Sequence, residues 1–162
     1  MKRLGIVLGV LGFVGGLTFT AVAAGEPRQC KGTLSGAVTA AFACSVDASY
    51  RAKKDVTAFV ISVSELPAGL NGLAPASFNL PGKPTKKVYD LAALGDGGTI
   101  INRQDGRTFF GSKVGGKVYG SVKLTLSAVS AQSERSYAVS GTLSAVAVDM
   151  EGKGEIKVEV SF

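Results

Sequence analysis

Between Val118 and Phe162 the chain changes polarity almost residue by residue. Val118, Gly120, Val122, Leu124, Leu126 and Ala128 alternate with Tyr119, Ser121, Lys123, Thr125 and Ser127. After a polar turn at Gln132–Arg135, the pattern resumes in Tyr137, Val139, Gly141, Leu143 and Ala145. After a second turn at Glu151–Gly154, Ile156, Val158, Val160 and Phe162 alternate with Glu155, Lys157, Glu159 and Ser161. Successive Cβ atoms of a strand point to opposite faces, so a β-strand sorts such residues into one apolar and one polar face, whereas a helix would scatter them. Val146 and Val148 fall on the opposite parity to Ala145, which predicts a bulge or a sheet-switching bend there.

The N-terminal part carries a second constraint. Residues 30–51, CKGTLSGAVTAAFACSVDASYR, hold both cysteines of the chain, Cys30 and Cys44. Two strands folded back about residue 37 place them directly opposite each other. Opposed antiparallel residues have Cα atoms ~4.5–5.5 Å apart, within reach of a disulfide. In that register Cys30, Gly32 and Leu34 share a face with Ala40, Phe42, Cys44, Val46, Ala48 and Tyr50. Lys31, Thr33 and Ser35 share the other with Thr39, Ala41, Ala43, Ser45, Asp47 and Ser49. The first face is apolar, so the disulfide is expected inside.

Ala52–Asp55 reads as a polar turn, and residues 56–66 as a strand covered on both sides, with Phe59, Ile61 and Val63 on one face and Val56, Ala58 and Val60 on the other. From 67 to 98, Pro67, Pro75, Pro81, Pro84 and repeated glycines interrupt the pattern. Short extended pieces are expected at 76–80 and 86–91, with a helical turn at Leu91–Leu94. Thr99–Ile101 and Arg107–Phe110 flank Asp105-Gly106, a hairpin signal, and Gly115-Gly116 sits in a basic loop from Lys113 to Lys117. Many short strands with regularly spaced turns predict an all-β fold: a single antiparallel two-sheet sandwich, jelly-roll-like or Greek-key, of about eight to ten strands after an N-terminal signal segment.

That segment has a basic start, Met1-Lys2-Arg3, an uncharged run from Leu4 to Ala24, and small residues at Ala21-Val22-Ala23 and Val22-Ala23-Ala24. This is the secretory pattern. It divides the chain into a signal peptide, 1–24, and a secreted or periplasmic all-β domain, 25–162. The alternative is a retained anchor, since the run is long enough to span a bilayer and contains Gly5-x-x-x-Gly9. Its glycines and the small residues of Thr18–Ala24 favour cleavage. Cleavage leaves 138 of the 162 residues and lowers the net charge from +6 to +4, because Lys2 and Arg3 depart. An oxidising compartment also suits the disulfide.

The chain has no histidine. That excludes Ser-His-Asp and Cys-His catalysis, His-ligated zinc and a histidine pH switch. No cofactor motif and no metal-ligand set emerges. Asp96 and Asp105 stand in glycine-rich turns without a second carboxylate nearby, which is ordinary turn chemistry. The modest positive surplus is too diffuse for a nucleic-acid partner. One candidate patch remains: Lys83, Lys86 and Lys87, followed by Arg103, Arg107, Lys113 and Lys117 in later loops. Gathered at one end of the fold, these would suit an anionic glycan, a lipid headgroup or an acidic protein. Tyr119 is the tyrosine expected to face outward and be free to stack on a sugar, whereas Tyr50 and Tyr137 fall on core parity. The expected function is a non-enzymatic binding or structural module. Two alternatives stay open: a small outer-membrane β-barrel, because the last strand ends in Phe162, and a hydrolase working through two carboxylates.

Expressed with its own leader in a secreting host, the chain is expected in the exported fraction, beginning at Ala24 or Gly25. N-terminal sequencing checks this; an intact Met1 in the membrane fraction would identify an anchor instead.

Overall fold

Eleven strands make up most of residues 28–94 and 97–162, which the computed structural model describes; residues 1–27 and 95–96 lie outside them. In chain order the elements are β1 (Arg28–Gly36), β2 (Ala40–Arg51), a 3-10 turn (Ala52–Lys54), β3 (Val56–Val63), β4 (Leu70–Pro81), β5 (Val88–Asp90) and a helical turn α1 (Leu91–Leu94). There follow β6 (Gly97–Arg103), β7 (Thr108–Val114), β8 (Lys117–Tyr119), β9 (Ser121–Ala131), β10 (Tyr137–Asp149) and β11 (Glu155–Ser161).

The fold is all-β and antiparallel, as expected. Its strands form one continuous sheet in the order β5-β9-β10-β11-β1-β2-β3-β4-β6-β7-β8. Val148 and Asp149 of β10 also pair with Phe110 and Phe109 of β7, so the run from β10 through β11, β1, β2, β3, β4 and β6 to β7 closes on itself. The layers that face each other across the core are therefore parts of a single hydrogen-bonded sheet. A second tie joins them at one end, where Tyr50 N donates to Arg135 O at 2.7 Å beside a Ser49–Ser136 bridge.

Alternation decides what lies inside. Leu34, Cys44, Phe59, Ile61, Leu80, Ile101, Phe109, Leu124, Leu143, Ile156 and Val158 are buried in one core. Phe162 continues the inward row of β11, and its ring meets Phe59 at 5.7 Å between centroids. Cys30 pairs with Cys44 in register, their Cα atoms are 4.8 Å apart, and the disulfide is formed and buried. Gly32 faces Phe42 across the same ladder. A Cβ on Gly32 would lie 2.2 Å from Phe42 Cζ, so the ring occupies the space the glycine leaves empty.

Several expectations need correction. The bulge lies between Ser140 and Gly141, where β10 skips Ser127 of β9, and not near Ala145. Inward parity runs unbroken through Leu143, Ala145 and Ala147 to Asp149, so Val146 and Val148 lie half-buried on the outer face. The run from Val118 to Ala128 is two strands, because the chain breaks at Gly120, and Val118 and Ala128 are exposed. A Cβ on Gly120 would sit 1.8 Å from Val146 O, and its φ of 61° is left-handed; only glycine lets the chain cross β10 there. Residues 70–81 form one long strand rather than a short piece at 76–80, and the second expected piece shrinks to β5. Pro75 is tolerated because the β4–β6 ladder is irregular between Ala74 and Ser77, so its missing N–H breaks no rung. Its carbonyl accepts a buried hydrogen bond from Thr99 Oγ1 at 2.7 Å.

The bridge closes a loop of 14 residues in sequence. Reduction, or the Cys30→Ser/Cys44→Ser pair, is expected to cost about 3 kcal/mol by loop-closure entropy, read as a lower urea midpoint. Gly120→Ala is expected to cost about 1–3 kcal/mol through strain alone, with further loss from the carbonyl contact; a midpoint equal to wild type would contradict the crossing geometry.

Candidate anion-binding end

Because neighbouring strands are all antiparallel, each turn belongs to one of two ends. Arg51, Val56, Pro81, Val114, Lys117, Ala131 and Tyr137 mark one end; Gly36, Val63, Leu70, Arg103, Thr108, Asp149 and Glu155 mark the other. The candidate cations divide accordingly. Lys83, Lys86, Lys87, Lys113 and Lys117 fall at the first end, whereas Arg103 and Arg107 fall at the second.

The second end is internally neutralised. Arg103 and Arg107 both bond Asp105, at 3.1 and 3.3 Å, and Arg107 also reaches the buried Asp149 at 3.9 Å. Lys153–Glu151 and Lys157–Glu155 add two more pairs. Burial pushes the Asp105 carboxyl up, but hydrogen bonds from Arg107 and the charges of Arg103 and Arg107 outweigh it and hold it below its ordinary value. Asp105 is thus a hairpin-turn carboxylate satisfied by arginines, while Asp96 lies outside the described residues. Among the described residues no ion pair within 4.0 Å forms at the first end.

That first end carries more positive charge than the sequence patch implied. A cleft of about 360 Å³ is lined by Tyr50, Arg51, Ala52, Lys53, Lys54 and Arg135. All four cations are exposed. Arg51–Lys54 closes the β2–β3 hairpin and Arg135 sits in the β9–β10 turn; the Tyr50–Arg135 backbone bond brings the two turns together. Tyr50 donates its hydroxyl to Asp55 Oδ1 at 2.7 Å, and that bond, with burial and the Asp55 and Tyr137 charges, raises its pKa. Lys83 Nζ lies 5.6 Å from the Tyr50 ring centroid.

A second cleft, of about 490 Å³, is lined in part by residues of the same β9–β10 turn. Val46, Val129, Tyr137 and Val139 form its apolar lining; Arg28, Asp47, Lys86, Ser130, Gln132, Ser136 and Ser140 supply polar groups. Arg28 donates to Val139 O at 2.9 Å and to the Ser140 hydroxyl, which fixes its guanidinium. Asp47 accepts from Ser49 Oγ at 2.7 Å.

The run Lys83-Pro84-Thr85-Lys86-Lys87 links β4 to β5 across this end and is tied down along its length. Gly82 N donates to Asp55 O and Thr57 Oγ1 to Gly82 O; Pro84 is buried; Leu126 N donates to Lys87 O. Thr85 N donates to the hydroxyl of the buried Tyr89, over whose ring Lys87 Nζ lies at 4.6 Å. Lys113 and Lys117 flank the Gly115-Gly116 turn and line neither cleft. Tyr119 is half-buried beneath Lys117, 5.0 Å from its centroid, and packs on Phe110, so it is not the free outward ring expected. Tyr50 and Tyr137, expected in the core, are half-buried at the clefts, and Tyr89 is the buried tyrosine. Lys53, Lys54 and Arg135 read from sequence as ordinary polar turns and Arg28 and Arg51 stand at strand ends, so none of the five is distinguishable there as a site residue. The chain matches no protein family, no curated protein and no solved structure.

Proposed function

We propose that the protein is an exported, non-enzymatic binding module that takes an anionic ligand at its basic end. The observation that carries this reading is the segregation of charge: the ion pairs collect at one end, and unpaired cations converge on one cleft at the other. Like charges held together repel, and an anion that neutralises them recovers that energy. The secretory pattern of residues 1–24 and the Cys30–Cys44 disulfide support export.

A membrane barrel turns apolar side chains outward. Here Lys31, Thr33 and Ser35 of β1 and Glu155, Lys157 and Glu159 of β11 are exposed, while their apolar neighbours fill the inside. A carboxylate hydrolase needs two acids in one cleft. Asp47, Glu159 and Glu65 each line a different cleft.

Dextran sulfate, with uncharged dextran as control, tests the reading. Wild-type protein is expected to bind the sulfated polymer and to release it as salt rises. Arg51→Glu/Arg135→Glu should weaken binding about tenfold, since exposed ion pairs contribute up to ~1 kcal/mol each. Lys153→Glu/Lys157→Glu makes the same change in net charge at the opposite end and should leave binding near wild type. Equal losses in both variants would point to net charge alone and remove the site.

A further inference from the structure

We infer that the two clefts at the basic end are subsites of a single groove that binds an acidic oligosaccharide; this rests on the anionic-ligand reading above and assigns its chemical class. The clefts are neighbours along one strand. Val46 and Asp47 of β2 line the larger one, and Tyr50 and Arg51 of the same strand line the smaller. At about 3.3 Å per residue, Val46 to Tyr50 spans roughly 13 Å. That length fits a short chain molecule, not a single ion. The β9–β10 turn serves both subsites, with Gln132 and Ser136 in the larger and Arg135 in the smaller.

The two subsites differ in chemistry in a way that a glycan explains. The smaller is a concentration of cations, suited to a carboxylate or sulfate. The larger mixes Lys86 and Arg28 with serine hydroxyls, the Gln132 amide and the Asp47 carboxylate. A carboxylate acceptor would repel a bare polyanion but can accept hydrogen bonds from sugar hydroxyls. Tyr50 in one cleft and Tyr137 in the other are half-buried beside the Ser49–Ser136 bridge that joins their strands, and an aromatic face can pack on the C–H face of a sugar ring. A lipid bilayer is a poorer fit. The turns beside the clefts, Arg51–Asp55, Gly82–Lys87 and Ala131–Ser136, contain no exposed large apolar residue to enter a membrane; Val88 and Val118 are exposed next to Lys87 and Lys117 but line neither cleft.

Calorimetric titration with oligogalacturonates and heparin-derived oligosaccharides of rising length tests the groove, and whichever series binds identifies carboxylate or sulfate as the preferred group. Affinity is expected to climb until the chain reaches both clefts and then level off, with uncharged cello-oligosaccharides not binding. Arg135→Glu, in the cation cleft, should weaken both short and long oligomers. Lys86→Glu, exposed in the other cleft, should weaken only those long enough to reach it, by about tenfold. Thermal melts equal to wild type establish that the variants fold. Affinity that does not depend on length, or a Lys86→Glu variant that binds long oligomers as wild type does, would overturn the groove while leaving the anionic-ligand reading intact. Binding to phosphatidylglycerol vesicles but to neither oligosaccharide series would overturn the glycan and assign the end to a membrane. Failure to bind dextran sulfate as well would remove both readings.

Discussion

One edge of β10 serves two partners. Over Tyr137–Val146 it pairs with β9, and over Val148–Asp149 with β7. The first pairing carries the β9–β10 hairpin across the core to the end of β2. The second closes the sheet. Both depend on the chain passing close over the β10 backbone between Tyr119 and Ser121, which Gly120 permits. The crossing lets β8 pair with β7 and β9 pair with β10 with a single residue between them. The strand that closes the sheet against β7 also begins at the turn that meets the end of β2.

The legible parts of the fold were those where a local rule had one solution. Cys30 and Cys44 are symmetrical about a single pivot, so the β1–β2 register followed from their spacing. Asp105-Gly106 between apolar runs allowed one hairpin. The misreadings arose where a face carries apolar side chains for a non-local reason. Val146 and Val148 look like a parity slip because the outer face near them is partly covered, Val148 pairing with Phe110 of β7. Ala128 looks inward because alternation alone cannot register the residue that β10 skips. Pro75 looks like a strand breaker unless the irregular stretch in its ladder is known.

The site was half legible for a related reason. In a sheet of hairpins the turns alternate between ends, so Arg51–Asp55 and Gly82–Lys87, two connections apart, belong together. That count needs β4 as one strand, and the prolines and glycines of 67–98 hid it. Beyond that stretch the parity was lost, and Arg103 and Arg107 were grouped with lysines from the opposite end. Arg135 joins the cleft only through the fold-back of β10 onto β2, a contact with no local signature.

Charge alone does not make a binding surface, because lysines on free loops lose side-chain and backbone entropy when they close on a ligand. Here the backbone cost is largely met during folding. The β2–β3 turn is held by Tyr50 to Asp55 and by Gly82 N to Asp55 O. The Lys83–Lys87 segment is pinned at Gly82, Pro84, Thr85 and Lys87, and Arg28 is fixed by Val139 O. The β9–β10 turn is closed by Ser133 Oγ, which accepts from Arg135 N and Ser136 N. Each cationic turn thus projects exposed charges from a backbone already fixed by the frame. Such a surface favours a ligand with several anionic groups, since after the first contact the remaining cations are already in place and each further contact costs mainly the freedom of its side chain.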